Sequence, residues 1–266
     1  MSPNRQLVGK RLNYNAGASS RLLKAIRKEL KLMAKDYERE LRKVEKNTGM
    51  TFDASIASQS RITLNKLAEK WTARFVSLAK MRVPDFIEEL DTTNQRELAE
   101  SLASLTGVKI ETPKRTAELT EQITASIAES VSLITNVGEQ FRQRTESAVM
   151  RSIQNGGLGR KTIFDHLRDF EGMAERRARL IAEDQTRKIT TAMNTERMKS
   201  TGIKKWRWLH SGGGAEPRKL HLKLNGQEFT FDDPPVIDDR TGERGFPGQL
   251  INCKCVMIPV LDLEDL

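Results

Sequence analysis

Residues 193–209, MNTERMKSTGIKKWRWL, contain the point at which the chain changes from one kind of secondary structure to another. Before Gly202 the apolar residues recur every three or four positions, which is typical of an amphipathic helix, and a glycine commonly ends such a helix. After it, Trp206-Arg207-Trp208 alternate as a strand does. The sequence therefore predicts an α+β protein, with an elongated, mainly α-helical body followed by a small C-terminal α+β domain of a few short antiparallel strands.

Upstream of this point, long stretches have helical spacing. Their apolar residues step by three or four along most of residues 20–200. Pro84 is expected to interrupt one of these helices, because proline removes a backbone donor and clashes with the preceding turn. The predicted helices cover residues 20–47, 53 or 60 to 83, 85–90, 92–105, 116–154, 160–170 and 173–200.

Downstream of Gly202 the composition changes. Residues 203–266 hold 5 of the 8 prolines and 7 of the 17 glycines, so turns are frequent. Strands are predicted at 206–209, after the Asn225-Gly226 turn and at 254–260, with one or two helical turns within 217–222. The predicted domains are a basic N-terminus that could be disordered (1–19), the helical body (20–157) and a C-terminal module (158–266).

The composition excludes several classes of protein. Of the 266 residues, 37% are hydrophobic and 30% are charged, and no stretch reaches the roughly 18–20 apolar residues of a transmembrane helix. The first residues have no apolar core of a signal peptide, so folding in a cytoplasm is expected. Two cysteines are too few for a disulfide-stapled secreted scaffold.

Positive charge is concentrated near the N-terminus. Residues 1–46 carry 13 Lys or Arg against 5 Asp or Glu, which accounts for +8 of the net +9. At helical spacing these residues form a basic ridge, which favours a polyanion or an acidic protein surface as partner. The alternative is a solvated helix face that neighbouring acids neutralise. The candidate polyanion-binding residues are Arg21, Lys24, Arg27, Lys28, Lys31, Lys35, Arg39, Arg42 and Lys43.

The tail carries two short motifs in a fixed order. The first reads Arg-x-x-His-x-x-Leu-x-Gly, and the second is a Pro-Gly followed by Asn-Cys-x-Cys. The residues that form them are Arg218, His221, Leu224, Gly226, Gly248, Asn252, Cys253 and Cys255.

This combination resembles the C-terminal pattern of the Mu F-like family of phage head morphogenesis proteins, also called minor head or minor capsid proteins. The resemblance covers roughly residues 150–260. It implies a virion component without enzyme activity, located inside the capsid at the portal vertex after assembly in the host cytoplasm. The implied partners are the portal protein, packaged DNA without sequence preference, and a major capsid or scaffolding protein. Several copies on a ring are expected, and no membrane partner is expected before ejection.

One further pattern suggests a metal. His221, Cys253 and Cys255 offer an imidazole and two thiolates, which are donors that zinc prefers. A fourth ligand could come from His210, Asp232 or Asp233. The alternative is a structural role, in which a buried cysteine packs against His221 while Arg218 and His221 hydrogen-bond backbone carbonyls or Asn252.

Two other functions remain open from the residues alone. The first is a metal-dependent nucleic-acid-processing protein built on His221, Cys253 and Cys255, although no general acid or base accompanies them at a recognisable spacing. The second is a helical adaptor whose basic ridge binds a polyanion such as DNA or a membrane surface.

Overall fold

The computed structural model describes residues 6–47, 54–108, 111–112, 115–154, 160–212 and 217–262. Within them, long helices come first and short strands follow, so the predicted α+β class is confirmed. The helices are α1 (Ala16–Asn47), α2 (Ala54–Thr106), α3 (Ala117–Gln154), α4 (Arg160–Ser200) and α5 (Lys219–Leu224). The strands are β1 (Gln6–Val8), β2 (Lys205–Leu209), β3 (Glu228–Thr230), β4 (Val236–Asp238), β5 (Glu243–Arg244) and β6 (Val256–Asp262).

Helix α2 continues through Pro84, so the predicted break at this proline is wrong. The proline lies on the exposed side of the helix, whereas Val83, Phe86 and Ile87 are buried around it. Proline in a helix interior costs about 3 kcal/mol or more. Burial of several large apolar side chains, each worth about 1.5–3 kcal/mol, outweighs that cost.

Helix α4 is also continuous, so the predicted separation between residues 170 and 173 is wrong. Gly172 lies within the helix, where a Cβ would contact only the end of Arg176, at 3.6 Å. Buried Leu167, Ala174 and Ala178 continue one apolar stripe across this glycine. A glycine in a helix interior costs only about 1 kcal/mol, which this stripe compensates.

The N-terminus is ordered from residue 6, which corrects the expectation of disorder for that part of residues 1–19; residues 1–5 lie outside the described ranges. Strand β1 pairs antiparallel with β6, with Leu7 opposite Leu261. Leu12 is only 1% exposed in the core that contains Trp206 and Trp208. Pairing with a distant strand and burial of one leucine therefore fix a segment that is locally polar.

The strands form two antiparallel sheets. The larger has the order β1-β6-β2-β3, and the smaller pairs β4 with β5. In the larger sheet Trp206 lies opposite Pro259 and Trp208 opposite Met257. Because alternate residues of a strand point to the same face, both tryptophans enter the core together.

Two compact units are present. The tail unit consists of Met1–Ser19, Asp85–Ile127 and Glu183–Leu266, and the helical unit consists of Ser20–Pro84 and Ala128–Ala182. This grouping differs from the linear division predicted from the sequence. Segments far apart in the chain are joined in each unit because long helices pack side by side, a relation that sequence order does not reveal.

The helical unit has an aromatic core. Trp71, Phe75, Tyr37 and Phe141 are each at most 1% exposed, and the Tyr37 and Phe141 rings meet edge to face at 5.7 Å. Gly138 lets Phe75 approach closely, since a Cβ there would lie 2.6 Å from its ring. These contacts supply the apolar burial that stabilises long helices.

No helix in the described ranges combines the length and apolar content that crossing a lipid bilayer requires.

Candidate functional site

Helix α5 places two side chains of the first motif in the core of the tail unit. His221 and Leu224 are three residues apart, share one face of the helix, and are both buried. The helix ends at Leu224, and Asn225 caps it. Gly226 follows with a φ of 80°, a left-handed conformation that favours glycine. The Gly226 N–H donates a hydrogen bond of 2.8 Å to the Trp208 carbonyl, which joins the motif to β2.

Gly248 shapes the loop that carries the second motif. Its φ is 86°, and a Cβ at this position would lie 2.5 Å from Tyr14 Oη and 2.9 Å from Thr191 Oγ1. Its N–H points at Cys253, at 3.3 Å from Sγ. The Thr191 hydroxyl also donates a hydrogen bond of 2.7 Å to the Pro247 carbonyl. The position therefore requires glycine both for its backbone conformation and for the close approach of neighbours.

Two further polar contacts hold this loop. Asn252 has a φ of 61°, and its N–H donates to Asp184 Oδ1 on α4 at 3.0 Å. Burial raises the pKa of Asp184. Arg218 Nη2 donates to the Ile251 carbonyl at 2.9 Å, so it contacts a backbone carbonyl as expected, and the partner is Ile251 rather than Asn252. Side chains thus satisfy backbone groups that irregular structure leaves unpaired.

His221, Cys253 and Cys255 come together in the core. His221 Nδ1 lies 3.5 Å from Cys253 Sγ and 3.8 Å from Cys255 Sγ. The other ring nitrogen, Nε2, lies 3.0 Å from the Ile237 carbonyl on β4. Because a carbonyl can only accept, Nε2 carries the proton and Nδ1 presents a lone pair to the two sulfurs. The Trp208 ring meets the imidazole edge to face, at 5.0 Å between centroids.

The two thiols differ in their electrostatic environment. Hydrogen bonds from the Cys255 thiol and from the Gly248 N–H lower the pKa of Cys253, although burial opposes them. The pKa of Cys255 is raised, because its proton is held against Cys253 in a buried site. Of the two sulfurs, Cys253 is therefore the one that becomes a thiolate more readily.

The predicted fourth ligands lie elsewhere. His210 accepts a hydrogen bond from the Gly212 N–H at its Nδ1, at 3.1 Å. Asp232 and Asp233 are exposed, and Asp233 forms an ion pair with Arg244. Among the described residues, the group of closely spaced metal-compatible donors consists of His221, Cys253 and Cys255, whose ligand atoms lie within 4.8 Å of one another.

A buried network of polar side chains stabilises the tail unit. The sequence analysis did not predict this network. Arg197 on α4 is 1% exposed and lies 2.5 Å both from Asp91 Oδ1 and from Asn94 Oδ1. The Asn94 amide donates in turn to Asn194 at 2.5 Å. The sequence does contain an indication of this network, because polar residues occupy positions of α4 where the helical spacing would otherwise place apolar residues. These residues are Asp184, Thr191, Asn194 and Arg197.

The basic ridge lies on α1, in the helical unit, whereas the motif residues belong to the tail unit. Its C-terminal half is neutralised by acids of the same helix, with Arg42 and Lys43 at 2.7 and 2.9 Å from Glu38 and Glu40. Arg39 likewise pairs with Glu40 at 2.8 Å and with Asp36.

The N-terminal half of the ridge differs from the C-terminal half in its ion pairs. The side chains of Lys24, Lys28, Lys31 and Lys35 are exposed, and among the residues that the structure describes none of them forms an ion pair. Arg21 is exposed as well, whereas Arg27 is half-buried and lies 3.7 Å from Glu175. Lys24, Lys28, Lys31 and Lys35 are thus the ridge lysines that are exposed and form no ion pair among the described residues.

Comparison with known proteins identifies the tail motifs. The family model described as Phage Mu protein F like protein matches residues 143–258. The chain is 30% identical to an uncharacterized protein of Haemophilus influenzae (strain Rd). The aligned 235 residues cover 88% of this chain and 51% of that protein. It is 29% identical over 130 residues to the uncharacterized protein YqbB of Bacillus subtilis (strain 168), covering 46% and 42% respectively. No solved structure matches.

The chain spans about half the length of the curated relatives that it matches. The matched family segment contains all eight motif residues, from Arg218 to Cys255. The resemblance that the motifs indicate is thereby confirmed. Residues 143–258 are thus similar to the Phage Mu protein F like family.

Proposed function

We propose that this chain is a bacteriophage minor head protein that associates with the portal inside the capsid, contacts packaged DNA and influences packaging or ejection. The observation that carries the proposal is the family match over residues 143–258. The structure of the tail supports it, because the motif residues shape and tie down loops. Gly248, Asn252 and Arg218 each fix a backbone conformation or satisfy a backbone group. Such contacts suit a rigid docking module.

The family segment supports other head proteins as partners. On a ring of identical subunits, a small rigid module can repeat the same contact several times. The proposal predicts that this chain co-purifies with the portal ring when the two genes are expressed together. A chain that elutes alone beside an intact ring would contradict the portal contact.

The lysines of α1 support the proposed contact with DNA. Lys24, Lys28, Lys31 and Lys35 step along one helix by three or four residues, which brings their charges close together on its surface. Among the described residues none of the four forms an ion pair, although Lys31 and Lys35 interact electrostatically with Glu171. Arg39, Arg42 and Lys43, by contrast, form ion pairs with acids of the same helix. A row of exposed ammonium groups binds phosphates without reading base sequence, and the binding depends strongly on salt.

Replacing three of these lysines should weaken DNA binding. In the Lys24→Gln/Lys28→Gln/Lys31→Gln variant, the affinity for duplex DNA is expected to fall uniformly across sequences. The slope of log K against log salt should decrease by up to about 3, since each lost phosphate contact removes about 0.9. Fluorescence anisotropy over a series of salt concentrations measures both quantities.

A matched control removes the same charge from the other half of α1. The Arg39→Gln/Arg42→Gln/Lys43→Gln variant also loses three positive charges, but these residues already pair with Asp36, Glu38 and Glu40. Its salt slope should stay close to that of the wild type. Equal losses in the two variants would show that net charge, rather than the unpaired lysines, determines binding.

A further inference from the structure

The cluster of His221, Cys253 and Cys255 has the dimensions of a metal site. In a tetrahedral zinc centre, with bonds of about 2.3 Å to sulfur and about 2.0–2.1 Å to nitrogen, neighbouring ligand atoms lie about 3.5–3.8 Å apart. The distances from His221 Nδ1 to the two sulfurs are 3.5 and 3.8 Å. All three donor atoms lie within 4.8 Å of one another, so they could bind one ion once the two sulfurs are about 3.8 Å apart.

The imidazole is already oriented for this purpose. Its Nε2–H donates to the Ile237 carbonyl at 3.0 Å, which fixes the ring and leaves the Nδ1 lone pair facing both sulfurs. Histidine ligands of metals almost always donate their second nitrogen to such a partner. The Gly248 N–H, 3.3 Å from Cys253 Sγ, would stabilise a thiolate ligand in the same way. The surroundings thus resemble the hydrogen-bonded shell of a metal site.

The position of the cluster indicates a structural role. His221 lies on α5, while the cysteines directly precede β6, so one ion would join segments 32 and 34 residues apart. All three residues are at most 3% exposed. A shared ion would hold the motif loop against α5 and β4, and its binding energy would add to the stability of the tail unit.

From this geometry we propose that His221, Cys253 and Cys255 bind one Zn²⁺ ion, which stabilises the tail unit. Soft thiolates with an imidazole select zinc over magnesium or calcium, which prefer oxygen ligands. Among the described residues, these three side chains form the group of closely spaced donors that would bind the ion. The competing account is a purely packed cluster, in which the cysteines behave as small hydrophobes and a thiol hydrogen-bonds the imidazole.

Metal content and cobalt spectroscopy of the full chain distinguish these accounts. The protein is purified under reducing conditions from cells supplied with zinc, and elemental analysis is expected to give about one zinc per chain. After removal of the metal with a chelator, one equivalent of Co²⁺ should produce thiolate-to-cobalt charge-transfer absorption and the d–d bands of a tetrahedral site. Added Zn²⁺ should displace the cobalt and raise the melting temperature.

Two variants locate the site. Cys253→Ser/Cys255→Ser should lose the charge-transfer absorption, whereas His210→Gln, which alters a histidine of the same unit outside the cluster, should retain it together with full zinc content. The metal-free wild-type chain keeps the test valid even if the serine variant misfolds. Absence of charge-transfer absorption in that chain would overturn the proposal in favour of packing. Survival of the absorption in a folded serine variant would also overturn it.

Discussion

Asp91→Ala is expected to lower the free energy of unfolding by about 3–5 kcal/mol. The Arg197 guanidinium, with a side chain only 1% exposed, lies 2.5 Å from the Asp91 carboxylate. Removing one partner of a buried ion pair is strongly destabilising, because the other charge stays buried without it. Urea denaturation followed by tryptophan fluorescence measures the change, since Trp206 and Trp208 lie in the core of the same unit.

The control for this variant is Glu88→Ala. Both Asp91 and Glu88 pair with the exposed Arg115, at 2.8 and 2.5 Å, but Glu88 is 66% exposed at its side chain. An exposed ion pair is worth only about 0–1 kcal/mol, so this change should have a small effect. Similar losses in the two variants would show that the pair with Arg115, rather than the buried network of Arg197, determines the cost.

Gly248→Ala is expected to destabilise the tail unit by about 2–5 kcal/mol. A left-handed conformation costs a residue with a Cβ about 1–2 kcal/mol. The added methyl group would also lie 2.5 Å from Tyr14 Oη and 2.9 Å from Thr191 Oγ1, and such overpacking costs about 1–3 kcal/mol. The same denaturation experiment measures the sum.

Gly226→Ala separates the two contributions. Gly226 has a similar φ of 80°, but nothing lies within 4 Å of the position that its Cβ would occupy. This variant should lose only the roughly 1–2 kcal/mol of backbone strain. If both alanine variants lose the same free energy, the close approach of Tyr14 to Gly248 contributes nothing.

Sequence predicts the helices well where one apolar stripe runs without interruption. Helix α3 begins one residue after its predicted start and α1 four residues before, because their spacing is regular throughout. At Pro84 the local rule favours a break, but packing of the residues around it decides in favour of a continuous helix. Strand β1 has three residues, too few for a period, and its pairing with β6 is set at the other end of the chain.

The sequence likewise predicts some contacts of the candidate site and not others. Spacing within α5 and within Asn-Cys-x-Cys predicts which side chains of each motif share a face, and the structure brings His221 to both cysteines. Tyr14 and Thr191 could not be predicted as neighbours of Gly248. Both reach it from distant segments, and their contacts depend on the packing of the N-terminus and α4 against the motif loop.

Native mass spectrometry of the co-expressed portal ring tests the proposed contact between this chain and the portal. At moderate salt, we expect a ring that carries a defined number of copies of this chain. The Lys24→Gln/Lys28→Gln/Lys31→Gln variant should load the ring equally, because its lysines are assigned to DNA rather than to the portal. An intact ring of bare portal mass, with this chain present alone in the same preparation, would contradict the account.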